Sequence, residues 1–113
     1  MAKVASPKLL RALYLLVEVT GPAVSAVMLI YLLTGYQMLA PGLGLIPRAS
    51  LVHTDPVLRA LAIALALTHS YAGLLLICER RIRSYTLKRL AELDITVLLA
   101  FFAALFATLE IVI

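Results

Sequence analysis

Apolar positions dominate this chain in three long runs, from about Leu13 to Leu39, from Pro56 to Cys78 and from Asp94 to Ile113, with polar and helix-breaking residues gathered between them. A helix needs about 20 mostly apolar residues to cross the hydrocarbon layer of a membrane, and each run meets that length. The pattern predicts helices at about 12–39, 56–78 and 94–113. The first run is interrupted only by Glu18, the Gly21-Pro22 step and a few hydroxyl groups that can bond to their own backbone, so it predicts one long, kinked helix. Pro41, Gly42, Gly44 and Pro47 make a loop of Ala40 to Thr54. Asp55-Pro56 then has the character of an N-cap and first helical residue. Glu79 to Asp94 forms a basic connection in which Leu87, Leu90 and Leu93 recur at helical spacing, so part of it is expected to be an interfacial extension of the third helix. The third helix is apolar except for Thr96, Thr108 and Glu110, and is expected to close the bundle. The fold class is an all-α integral membrane bundle of three helices in a single domain, 1–113, with no evident internal repeat.

Composition sharpens this picture. Of the 113 residues 64% are hydrophobic and mean hydropathy is +1.06, more apolar surface than a soluble domain of this size can hide. Three spans leave no room for a soluble catalytic domain. The single cysteine, Cys78, excludes an internal disulfide and any multi-cysteine zinc or iron–sulfur site made by this chain alone. The net charge of +4 sits at the ends of apolar runs, so it reads as topology and not as nucleic-acid binding. Lys3, Lys8 and Arg11 precede the first helix and Arg80, Arg81, Arg83, Lys88 and Arg89 follow the second, while the first loop holds Arg48 and Arg59 near the membrane. The positive-inside rule therefore places the N-terminus inside and the C-terminus outside, in a cytoplasmic membrane. A secretory signal peptide is the competing reading of the start, with Val24-Ser25-Ala26 as a small-residue cleavage site; Glu18 and the apolar continuation to Leu33 argue against it.

His69 lies a little past the midpoint of the second helix, where a titratable side chain costs several kcal/mol without a partner. Two partners suit it: haem iron bound axially through a neutral imidazole, or a Thr, Ser or carbonyl group hydrogen-bonded across helices. Ala62, Ala66 and Gly73 share its helical face at offsets of three, four and seven, a bare stripe that fits both a flat macrocycle and a close helix contact. Arg80 follows His69 by about three turns and returns to that face, within reach of a haem propionate or serving only as a topology charge. His53 precedes the N-cap and would stand about 24 Å from His69 if helical, so the two cannot share an iron. It reads as a solvated loop residue, and a second ligand to iron would come from a partner chain or a second copy. Glu18, beside the carbonyl that Pro22 leaves without its helical donor, marks a polar defect near the inner surface; pairing with Arg80 or Arg81 is expected, with a proton or quinone role as the alternative.

The run His69-Ser70-Tyr71-Ala72-Gly73-Leu74-Leu75 followed by Glu79-Arg80 resembles the second helix of the membrane-anchor subunits of succinate dehydrogenase and fumarate reductase. In that family a haem-ligating histidine is followed four residues later by glycine and, near the helix end, by an acidic residue. Val17-Glu18-Val19-Thr20-Gly21 looks like the family's Arg-Val-Ser/Thr-Gly start of the first helix. The resemblance spans all three helices and implies haem ligation by His69 with Gly73 beside it; Arg80 is the candidate propionate partner by its helical position, and Glu18 and Glu79 are candidate polar or quinone-side residues. The chain departs from the pattern where Glu18 replaces a basic residue, Arg80 replaces the acidic one with Glu79 one position early, and Arg81 stands where a tyrosine often follows. Haem ligation carries over by position and the quinone site does not.

The resemblance implies a non-catalytic cytochrome b-type anchor that carries haem b, shared with a second anchor chain or second copy. It would receive electrons through peripheral flavoprotein and iron–sulfur subunits and deliver them to quinone. The residues alone also accommodate a haem-free structural or assembly subunit, or a small transporter or channel protomer using Glu18 and His69.

Overall fold

The computed structural model describes residues 6–112; Lys3, used above for topology, and Ile113, the expected helix end, lie outside them. Helix α1 runs from Pro7 to Leu39, with the Ser6 side chain accepting from the Leu9 amide at 3.1 Å and Pro7 at the first turn. It continues through Pro22 as one helix. The expected loop contains more structure than its prolines and glycines suggested. A 3-10 turn covers Pro41–Leu43, Gly44 takes a left-handed conformation (φ 61°) that favours glycine, and a short helix α2 spans Ala49–His53. The Gln37 side chain pins this segment from α1: its carbonyl accepts from the Ile46 amide at 2.6 Å and its amide donates to the Ile46 carbonyl.

Helix α3, Pro56–Arg81, starts as the sequence predicts, with the Asp55 carboxylate accepting from the Leu58 amide at 2.8 Å and Pro56 in the first turn. It runs past Cys78 to Arg81. Helix α4 spans Tyr85–Val112, so it begins before Asp94 and absorbs Leu87, Leu90 and Leu93 as a direct extension. With mean hydropathies of 1.9, 2.0 and 2.4 over their most apolar stretches, α1, α3 and α4 are each long and apolar enough to cross a membrane.

The packing seam is written on α1 at alternating steps of three and four. Leu10, Leu13, Val17, Thr20, Val24, Val27, Tyr31 and Thr34 are all buried or half-buried, while most intervening residues face outward. This is the seven-residue repeat of a left-handed helix pair, and α3 and α2 lie against it. At the N-terminal end of α1 Leu13 packs with Ala72 and Leu76, flanked by Leu10, Val17 and Leu75.

Helix α4 packs differently. No Cα of α4 lies within 8 Å of one in α1, and none of its residues is buried, so it leans on α3 alone and does not close the bundle as expected. Polar ties fasten it. The Tyr71 hydroxyl lies 3.1 Å from Thr96 Oγ1, whose own proton goes to the Glu92 carbonyl; Glu79 pairs with Lys88 at 3.5 Å. At the opposite end the Arg59 guanidinium grips Glu110 through both carboxylate oxygens, Nη2 to Oε2 at 2.9 Å. A paired charge at a membrane end is hurt more by removal of one partner than by replacement of both with apolar groups. Arg59→Met and Glu110→Leu are therefore each expected to lower the unfolding temperature in detergent more than the double variant does, and strictly additive losses would refute the coupling.

Candidate functional site

His69 projects from α3 onto the α1 seam. Its Nδ1 lies 2.9 Å from Thr20 Oγ1, and its Cε1 stands where the ring edge would be 3.5 Å from a Cβ added to Gly21. Thr20 is buried at 6% exposure, and its hydroxyl donates to the Leu16 carbonyl one turn back. With the Thr20 proton directed to the Leu16 carbonyl, the contact is met by the imidazole tautomer that carries its proton on Nδ1 and donates to Oγ1; in that tautomer the lone pair is on Nε2. That nitrogen has no hydrogen-bond partner among the described residues and is not among the fully enclosed polar atoms. At 3.5 Å from the ring, a Cβ at position 21 would make an ordinary contact, so the space there admits a methyl group but nothing larger without moving the ring.

The same arrangement occurs a second time. Thr34 is the most enclosed side chain among the described residues, at 0% exposure; its hydroxyl donates to the Ile30 carbonyl at 2.7 Å, with Tyr31 O at 3.2 Å, and lies 2.8 Å from His53 Nδ1. The following residue is again glycine, Gly35, where an added Cβ would meet His53 Cε1 at 3.6 Å. Tyr31 stands edge-on to the His53 ring, centroids 5.2 Å apart. His53 is thus half-buried and held, which corrects its reading as a solvated loop residue. The cause is α2: this short helix folds back on α1 and delivers its last residue to the seam.

The other predicted residues take these positions. Gly73 is half-buried with nothing within 4 Å of an added Cβ, so the face below His69 has open space. Ala62 and Ala66, on the expected bare stripe, line an apolar cleft of about 240 Å³ together with Val24, Tyr31 and Phe106. Arg80 is exposed at the end of α3. Glu18 faces outward from the seam, and among the described residues no ion pair joins it to Arg80 or Arg81, because the helix turn that buries Thr20 points Glu18 the other way. Glu79 is engaged by Lys88 and borders a second cleft with Tyr71, Arg89, Glu92 and Thr96.

Sequence reasoning missed Thr34, Gly35 and His53 as a unit. The available signal was the Thr-Gly dipeptide, which occurs twice in α1 at Thr20-Gly21 and Thr34-Gly35, each at a seam position. Among the described residues no group of three or more His, Cys, Asp or Glu side chains converges as a bare metal ion would require. Comparison with family models, with curated proteins and with solved structures finds no match to this chain.

Proposed function

We propose that this chain is a haem b-binding membrane-anchor subunit of a respiratory complex like succinate dehydrogenase or fumarate reductase, passing electrons between a peripheral iron–sulfur subunit and membrane quinone. In this reading it lies in the cytoplasmic membrane with its N-terminus inside. The observation that carries the proposal is the His69–Thr20 contact, which engages Nδ1 and, in the Nδ1–H tautomer, leaves the lone pair on Nε2 for a ligand. Metal-bound histidines are held in this way, with the far ring nitrogen donating to a fixed outer acceptor that sets the tautomer and orientation.

The residues present fit haem better than a bare ion. A porphyrin brings four of its own nitrogens and asks the protein only for axial ligands, so one imidazole suffices where no three-ligand cluster exists. His69 would supply one axial ligand, and a second anchor chain or second copy the other. Ala66 and Gly73 leave room on its face, and Arg80, about 16 Å further along α3, would pair with a propionate. When bound, the group supplies one-electron transfer. The chain's own contribution is ligand orientation, an apolar surrounding and placement in the membrane. The flavoprotein and iron–sulfur partners and the quinone rest on the family resemblance.

A haem-free structural subunit is the second reading, favoured by the fact that the Thr20–His69 bond is itself a bridge between α1 and α3. Purification of the chain with its associated subunits separates the two. A reduced-minus-oxidised difference spectrum of b type is expected, with flavin and iron–sulfur signals in the same complex; a haem-free complex that transfers electrons normally would refute the proposal.

A further inference from the structure

Because α4 leans on α3 alone, a slot stays open between α1 and α4, with α3 as its floor. Its deeper part is an apolar cleft of about 520 Å³, with Leu13 and Leu16 on one wall, Leu67 and Ala72 on the floor, and Ala100 and Ala103 on the other wall. The cleft of about 200 Å³ that holds Glu79, Arg89 and Glu92 shares Leu13, Tyr71 and Thr96 with it, so the two form one slot with an apolar stem and a polar mouth. From Glu92 at the mouth to Ala103 at the far end, α4 advances eleven residues. That is about 16 Å along the axis, and one leaflet of a bilayer offers about 15 Å of hydrocarbon. The slot therefore has the depth of a single leaflet. Its mouth lies at the α3–α4 turn, where Arg80, Arg81, Arg83 and Lys88 mark the level of lipid headgroups.

The charges at the mouth say which headgroup fits. Glu79 is neutralised by Lys88 at 3.5 Å, with both side chains largely buried. Arg89 and Glu92 are only loosely joined, at 3.9 Å, and the Arg89 side chain is 63% exposed. One cation beside one anion is complementary to a headgroup that carries one anion beside one cation. We propose that the slot holds one zwitterionic phospholipid with a primary amine, of the phosphatidylethanolamine type, its phosphate on Arg89, its ammonium on Glu92 and one acyl chain along Ala72, Ala100 and Ala103. Guanidinium donates to phosphate oxygens, and a primary ammonium has N–H groups to donate to the Glu92 carboxylate. A choline headgroup has no such N–H, and an anionic lipid without an amine would set its charge against Glu92 with nothing to offset the repulsion. Small side chains along the stem leave the width that an acyl chain fills. This lipid site is independent of the ligation of His69.

The test uses the full chain purified in mild detergent from membranes that contain both phosphatidylethanolamine and phosphatidylglycerol. Phospholipid retained per chain is measured by mass spectrometry, and is expected to be phosphatidylethanolamine in a ratio of about one to one, the single site argued above. The chain is then stripped of lipid and titrated with dioleoyl phosphatidylethanolamine, phosphatidylcholine or phosphatidylglycerol in mixed micelles, with the unfolding temperature as readout. The ethanolamine lipid is expected to reach half-maximal stabilisation at about fivefold lower concentration than the other two, the scale of an exposed charge pair. Glu92→Gln should keep the site and remove the preference over choline, whereas Arg89→Gln should weaken both zwitterionic lipids alike. Ala103→Phe places a ring in the stem and should abolish retention of any phospholipid. Equal affinity for all three lipids in the wild type, or full retention in Ala103→Phe, would overturn the inference. So would a purified chain that carries quinone or pairs with a second copy in place of the lipid. Where Ala103→Phe does not fold, Glu92→Gln decides alone: an ethanolamine preference that survives it would remove the headgroup recognition on which the site rests.

Discussion

If His69 ligates haem as proposed, His69→Ala is expected to abolish the b-type spectrum while leaving the helices in place. Two energies decide this. On the proposed reading, removing the imidazole would take away a haem ligand, and the chain's other histidine, His53, sits sixteen residues away in α2. The cost to the fold is smaller, because Thr20 keeps its bond to the Leu16 carbonyl and loses only a donor to its oxygen. Interhelical hydrogen bonds in membrane proteins are worth about 0.6 kcal/mol on average and about 1.7 at most. His69→Asn sharpens the contrast. Its amide can still donate to Thr20 Oγ1, so a structural bridge would be restored, whereas an amide does not replace imidazole on haem iron. The spectrum should be lost in both variants and the unfolding temperature in detergent lowered only in the first. A spectrum that survives in His69→Asn would remove the ligand role, and a complex indifferent to both substitutions would leave no role for the ring at all.

Gly21→Ile is expected to have the next largest effect, through displacement and not through deletion. A Cβ at this position would meet His69 Cε1 at 3.5 Å, an ordinary contact, so Gly21→Ala should be accepted and even favoured by about 1 kcal/mol of helix propensity. Isoleucine adds three carbons beyond that Cβ, on the side where the ring lies. Overpacking of this kind costs about 1–3 kcal/mol, and here the softest response is for the ring to swing off Thr20. Nδ1 would then lose its acceptor and the tautomer its constraint. The expected signature is wild-type haem content in Gly21→Ala and a loss approaching that of His69→Ala in Gly21→Ile, read from the same difference spectrum. Equal haem content in both would mean that the close approach of ring and backbone has no bearing on the site.

The three-helix architecture was legible because lipid leaves few alternatives. A run of apolar residues long enough to span hydrocarbon must satisfy its backbone internally, so length and hydropathy decide that α1, α3 and α4 are helices. The start of α3 was equally plain, since Asp55-Pro56 caps through local bonds that need no distant partner. His69 also stood out in the sequence as a polar group at membrane depth.

What tertiary structure alone decided was which face of each helix meets another. In water a polar stripe marks the outside; in these spans nearly every face is apolar, so the pattern does not tell α4 to close on α1, and it leans on α3 only. Nor does it tell Glu18 from Thr20, of which one faces out and the other is buried in the seam. The partners of the two histidines lie 49 and 19 residues away along the chain, joined through a helix pair and a short folded-back helix that no local signal announces. Helix formation is a local and solvent-driven choice, settled by composition over some twenty residues. The proton positions on His69 and His53 depend on single hydroxyls brought within 3 Å by packing, and packing is where the reading of the sequence ended.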